Sequence, residues 1–271
     1  HFKADSISST TDTVFRIYYN GTTTPDYAST SAYSAQKVWQ GNGYVAVYHM
    51  NNDPSGGSPQ LVDSTGFDND GSSTGTMTST DLVSGQIGDA IEFDGTDDSF
   101  VVSEDSSLKI TGTDITLSAW WQYEDVNDFQ IIFGKPESNV SHTNPYFSYL
   151  LAIADDDTAR VGISDGATTL YAVDGDTTLV DGQNYHSVGV YNGTDIRLYL
   201  NGALDATPDT SYTGSVGDAT SDMLIGINGG DMEQFQDWMD ELRLASTSRS
   251  AAWIAAEYLN QATTTDFYVA D

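Results

Sequence analysis

Carboxylates dominate the chemistry open to this chain. Of its 271 residues 40 are Asp or Glu against 9 Lys and Arg, which gives a formal net charge of −31. Acids at short spacing ahead of a glycine suit loops that wrap oxygen ligands around Ca²⁺. The stretch DSTGFDNDG offers Asp63, Asp68 and Asp70 in that manner. It is not an EF-hand, because the twelve-residue spacing and the closing Glu are absent. Asp is also an ordinary turn former. The turn is the stronger reading here, and the same caution applies to Asp94, Asp97 and Asp98 in DGTDD. There is no Cys, so a thiol nucleophile is excluded, and the four His show no zinc spacing.

Aromatic side chains are the second chemistry-bearing set. Sugars are held by stacking aromatics on pyranose faces while polar groups fix the hydroxyls. Trp121, Tyr123, Tyr149, Tyr171 and Trp238 are the candidates. Each has a competing role in a core. Trp120 and Trp121 are adjacent, so on a strand they face opposite sides, one toward the core and the other exposed or on a concave face.

Strands must position these groups. TVFRIYY (13–19), YVAVYHM (44–50), ITLSAWWQYE (115–124), QIIFGK (130–135), YFSYLLAIAD (146–155), ARVGISD (159–165) and TLYAV (169–173) read as strands. GQIGDAIEFDGTDDSFVV (85–102) reads as two short strands around an Asp-Gly turn, and residues 185–204 carry two Asn-Gly turns between alternating residues, the strongest hairpin signal present. MLIGING (223–229) and WMDELRLA (238–245) complete the series. Strands recurring about every ten residues without intervening helices indicate an all-β sandwich or jelly roll. One helix follows, capped by Ser248 or Ser250, with Trp253, Ile254 and Tyr258 on nearly one face that packs on the sandwich.

Composition narrows the function classes. Hydrophobic content of 38%, with 11% aromatic, supports a folded core. The acidic surface repels phosphate backbones and anionic membranes, which argues against nucleic-acid partners. No apolar run approaches a membrane span, which argues against membrane insertion. Screening by counterions suits an extracellular or cell-surface setting.

GQIGDAIEFDGTDDSFVV, ITLSAWW, YHSVGVYNGTDIRLYLNGAL and MDELRLASTSRSAAWIAAEYLNQ, in that order, resemble the laminin G-like, concanavalin A-like jelly-roll family over about residues 41–261. The ending looks like bacterial and archaeal secreted versions, in which a small β-rich domain often precedes the jelly roll. Residues 1–40 resemble only the end of such a domain, with a linker, and 262–271 form a tail or strand. The resemblance implies two antiparallel sheets, a short C-terminal helix, carbohydrate or protein binding, and often structural calcium. The calcium site of relatives maps onto Asp240 in the last strand and onto Asn51, Asn52 or Asp53 after the early strand; the Glu that some relatives place early is missing here. Catalytic members of the fold carry two Glu spaced around an Asp on one strand. The seven Glu of this chain contain no such spacing, so the expectation is a non-enzyme.

The chain is therefore expected to be an extracellular, calcium-stabilised, non-catalytic module for a glycan or cell-surface polymer, binding carbohydrate or mediating adhesion. The alternative is a structural subunit of an appendage, sheath or filament. There, neighbouring copies would exchange strands through the termini, with TTTDFYVAD (263–271) adding to a sheet edge. A glycoside hydrolase of the same fold ranks below both.

Overall fold

A computed structural model describes residues 36–140, 144–228, 230 and 233–262. The strand expected at 13–19, residues 1–35 of the N-terminal segment and the tail 263–271 lie outside these. Along the chain come α1 (Gln36–Trp39), β1 (Tyr44–Tyr48), β2 (Gly71–Thr74), β3 (Leu82–Ser84), β4 (Asp89–Asp94) and β5 (Ser99–Val102). Next are β6 (Ile115–Gln122), β7 (Gln130–Pro136), β8 (Phe147–Ile153), β9 (Ala159–Ser164), β10 (Leu170–Asp174) and β11 (Asn184–Tyr191). Then follow β12 (Ile196–Leu200), β13 (Ala203–Leu204), β14 (Met223–Ile225), β15 (Gln236–Ala245) and α2 (Ala251–Ala262).

The strands form two antiparallel sheets. One runs β13-β12-β11-β6-β15-β4-β3, with β1 also on β15; the other runs β10-β9-β8-β7-β14-β5-β2. Side-chain alternation builds the core between them. On β6, Ile115, Leu117, Ala119 and Trp121 join the inter-sheet core, while Trp120 belongs to a separate cluster on the opposite face. From the second sheet Tyr149, Leu151, Ile153, Val161 and Ile163 meet them. Gly189 on β11 is what lets the sheets approach there, since a Cβ at that position would overlap the Val161 side chain.

The Asn-Gly turns form as expected. β11 pairs with β12 from Tyr191↔Ile196 to Ser187↔Leu200, and β12 turns back into β13 through Asn201 and Gly202, both at positive φ. The segment 85–102 differs from expectation. β4 pairs with β15 and β3 in one sheet, whereas β5 pairs with β14 and β2 in the other. The Asp-Gly turn is thus an arch that carries the chain between sheets, not a hairpin.

α2 closes the outer face of the first sheet. Ser250 caps it, its Oγ accepting from Trp253 N at 3.2 Å, while Ser248 donates to Asp114 instead. Ile254 is fully buried and Tyr258 stacks on Trp120 with centroids 5.6 Å apart. Trp253 departs from the expected packed face: it is 44% exposed and lies under the Arg249 guanidinium. A buried ion pair from Glu257 to Arg243 on β15 ties the helix to the sheet, and Glu241 holds the same guanidinium from the other side.

Candidate ligand-binding site

The aromatic candidates are mostly structural. Trp121 and Tyr149 are completely buried between the sheets, Trp121 donating to Ser187 Oγ at 2.8 Å and Tyr149 OH to Leu108 O at 3.0 Å. Tyr123 is buried too, and its hydroxyl donates to Asp157 at 2.5 Å. Trp238 packs with Trp120 and Ala90, against which Tyr258 and Ala262 of α2 lie. None of these four presents a ring face to a ligand, because each sits where the alternation turns it into a core or under the helix. Tyr171 is half-buried and stacks on Tyr212, with centroids 4.4 Å apart, against the core. Trp120, the neighbour left to the opposite face, is likewise covered.

The acids proposed for calcium do not converge. Asp63 is buried, and its carboxylate is saturated: Oδ1 accepts from Val47 N (3.0 Å) and Thr65 N (2.9 Å), Oδ2 from Thr65 Oγ1 (2.6 Å) and Asn69 N (3.0 Å). Burial raises its pKa against the pull of those four donors. Asp70 accepts from Asp63 N, and the exposed Asp68 accepts from Gln36. DSTGFDNDG is therefore a turn braced on Asp63 rather than a shell of ligands. After β1, Asn52 Oδ1 accepts from Val62 N and Asp53 Oδ1 from Ser55, while Asn51 is exposed.

Asp240 sits fully buried beside Trp120 in the ladder, at a bulge of β15 against β6. Its Oδ2 accepts from Ile87 N at 2.7 Å and so holds the turn 85–88, which Gly85 N closes onto Gly88 O. Oδ1 has no partner. Burial pushes this carboxyl up to about 7, against the Ile87 N–H, and the Glu241 charge adds to the rise. Neither Asp240 nor the acids of residues 51–70 belong to a group of three acidic or histidine side chains with metal-ligand spacing among the described residues.

Among the described residues, clefts lie at opposite ends of the sandwich. The first, of about 490 Å³, lies where β6 begins and β15 ends, and is lined by Phe67, Ser107, Lys109, Thr111, Thr113 and Asp114 among others. Phe67 is 53% exposed. Its loop is held from below: Asp63 binds the turn, Asn69 Nδ2 donates to Val45 O and Ser107 Oγ, and Tyr48 OH donates to Asn69 O at 2.5 Å. An apolar ring is thus presented on a rigid loop, beside hydroxyls and one ammonium. Rigidity lowers the ordering cost of binding.

The second cleft, of about 330 Å³, lies at the other end and is lined by Asp81, Glu92, Phe93, Asp94, Asp98, Glu124, Gln236 and Asp237. Six of those eight side chains are acids. Burial pushes Asp98 up to about 6, with the Asp94 charge next in weight, and burial raises Asp237 as well.

Phe67 was not singled out among the aromatics, although its position as the lone ring in a turn of small polar residues is the sequence signal that could have found it.

The paired sheets with crossing arches and a covering helix define a jelly-roll sandwich. Residues 94–255 match the concanavalin A-like lectin/glucanases superfamily, over more than half the sequence, and the chain belongs to that family. Solved structures share the fold. Domain 4 of AbnA, a GH43 extracellular arabinanase from Geobacillus stearothermophilus, in complex with arabinotriose, is 19% identical; it covers 78% of this chain and 96% of its own, with a TM-score of 0.59. The binding domain of Paraclostridial Mosquitocidal Protein 1 is 12% identical over 81% of this chain and 52% of its own, with a TM-score of 0.61. The botulinum neurotoxin serotype D ligand binding domain in complex with N-acetylneuraminic acid is 14% identical over 81% and 51%, with a TM-score of 0.60. The chain spans about half the length of these toxin domains. No curated protein matches the sequence. Among the described residues no helix is long and apolar enough to cross a membrane.

Proposed function

We propose that the chain is a non-catalytic carbohydrate-binding module of an extracellular or cell-surface protein, and that the glycan seats in the cleft beside Phe67. The observation that carries this is the exposed ring of Phe67 on a loop braced by Asp63, at a cleft where Ser107, Lys109, Thr111, Thr113 and Asp114 stand beside Val45 and Ile110. A phenyl face stacks on the C–H face of a sugar, and the Thr111 and Thr113 hydroxyls, Asp114 and Lys109 match its hydroxyl groups. Asp114 is already ordered by Ser248, and Lys109 by Glu104 at 2.9 Å, so both are positioned before a ligand arrives. That structures of the same fold were solved in complex with arabinotriose and N-acetylneuraminic acid supports the reading.

A glycan-array screen of the folded protein tests it, run with Ca²⁺ and again with chelator. Binding to a defined glycan class is the expected outcome. A blank array from a protein with a sharp thermal transition would overturn the proposal.

A further inference from the structure

We infer that the arch between β4 and β5 is a divalent-cation site, with Asp94, Asp97 and Asp98 as carboxylate ligands and Ca²⁺ as the ion its chemistry fits. Each of the three offers an oxygen, and these atoms lie within 4.8 Å of one another. They are the one such group among the described residues. Clustering alone would mean little in so acidic a chain. The second observation is Asp98 itself: it is only 4% exposed, it lines the acidic cleft, and its Oδ1 has no hydrogen-bond partner. Its other oxygen accepts from Asp94 N at 3.2 Å, so one oxygen is used by the fold and one is left over. A buried carboxylate oxygen without a partner is costly, and a cation at the cluster would supply what the protein does not.

The surroundings agree. The cleft beside Asp98 carries Asp81, Glu92, Glu124 and Asp237 and no Lys or Arg, so its field favours a cation and contains no internal counterion. The arch is also fixed in place. Asp94 Oδ1 accepts from Thr96 N at 2.8 Å and Asp97 N at 3.2 Å. Gly226, at φ +81, leaves room for Phe93 and the Asp98 carbonyl, where a Cβ would stand 2.7 Å from the Phe93 ring. Ligands that are all oxygen, without nitrogen or sulfur, select a hard ion, and an irregular, partly open set suits Ca²⁺ better than the strict octahedron of Mg²⁺. The site is distinct from the acids mapped from relatives and lies at the far end of the sandwich from Phe67, so its failure would leave the glycan reading standing.

Metal-stripped protein in physiological salt is titrated with CaCl₂ by calorimetry, and its melting temperature is read with and without Ca²⁺. Wild type should show one saturable site above diffuse surface binding, and a melting temperature raised by several degrees at saturating ion. Asp98→Asn keeps the shape and an acceptor for Asp94 N. It should melt in chelator at or above wild type, which shows that it folds, yet bind Ca²⁺ at least about tenfold more weakly. Asp240→Asn should keep the wild-type titration. The inference is overturned if Ca²⁺ leaves wild type unchanged, if Asp98→Asn titrates like wild type, or if Asp240→Asn alone abolishes the site.

Discussion

Single buried residues show how the fold spends its polar groups. His186 packs beside both Trp120 and Tyr258, with ring centroids 5.0 and 6.2 Å away, and its Nδ1 has no partner. Burial, then the Arg243 charge, drive its pKa down to about 3, and Glu241 opposes only in part. An unfolded imidazole titrates near 6.5. Below that pH the unfolded chain takes up a proton that the folded one refuses, so this residue removes stability as pH falls from about 6.5 toward 3. At about pH 5 the loss amounts to roughly 2 kcal/mol. His186→Phe should therefore shrink the stability difference between about pH 8 and about pH 5 by that amount, read from denaturant melts at both. An unchanged difference would mean that the folded imidazole is protonated. Asp240 answers another question at this scale. This Asp inside an apolar strand accepts from Ile87 N and holds the turn before β4.

At the scale of elements, α2 is joined to the sheet by one charged contact as well as by Ile254 and Tyr258. Arg243 is held by Glu241 and Glu257 with almost no solvent access. Glu257→Ala leaves Arg243 buried with Glu241 as its carboxylate partner, and the expected cost is about 2 kcal/mol, below that of stranding a buried charge entirely. Amide exchange should rise in α2 before it rises in β6 or β11. Uniform loss across all three would place the anchor elsewhere.

The elements also show what the sequence could reveal. Strands with long alternating runs, such as β6, β8 and β11, were legible, as were the Asn-Gly turns, in which Gly193, Asn201 and Gly202 take positive φ. β2 (GSST) and β3 (LVS) were not, because short strands of small or few apolar residues carry too little periodicity and are made by their partners β5 and β4. The arch at 94–98 was read as a hairpin turn because local turn chemistry does not record which sheet the next strand joins. The site was harder still. Each aromatic candidate had a core role open to it, and alternation and α2 do cover Trp121, Tyr149 and Trp238; the acids of DGTDD were visible as a cluster, but not the burial of Asp98 or its oxygen without a partner, which only packing decides.

Across the whole molecule the two ends of the sandwich differ in kind. Where β15 begins, acids crowd one cleft; where it ends, an exposed phenyl ring, hydroxyls and Lys109 line another. With a net charge of −31 the surface as a whole attracts cations and repels polyanions, so a neutral glycan or one read by local contacts suits it better than a heavily sulfated one. The measurement that decides most is a titration of the highest-scoring array glycan into wild type and Phe67→Ala, with melting temperatures taken in parallel. Phe67 is half in solvent and packs little, so the melting temperature should hold while affinity falls at least about tenfold, roughly 1.4 kcal/mol of stacking. Equal affinity in the two proteins, with equal melting, would contradict a glycan site at this cleft.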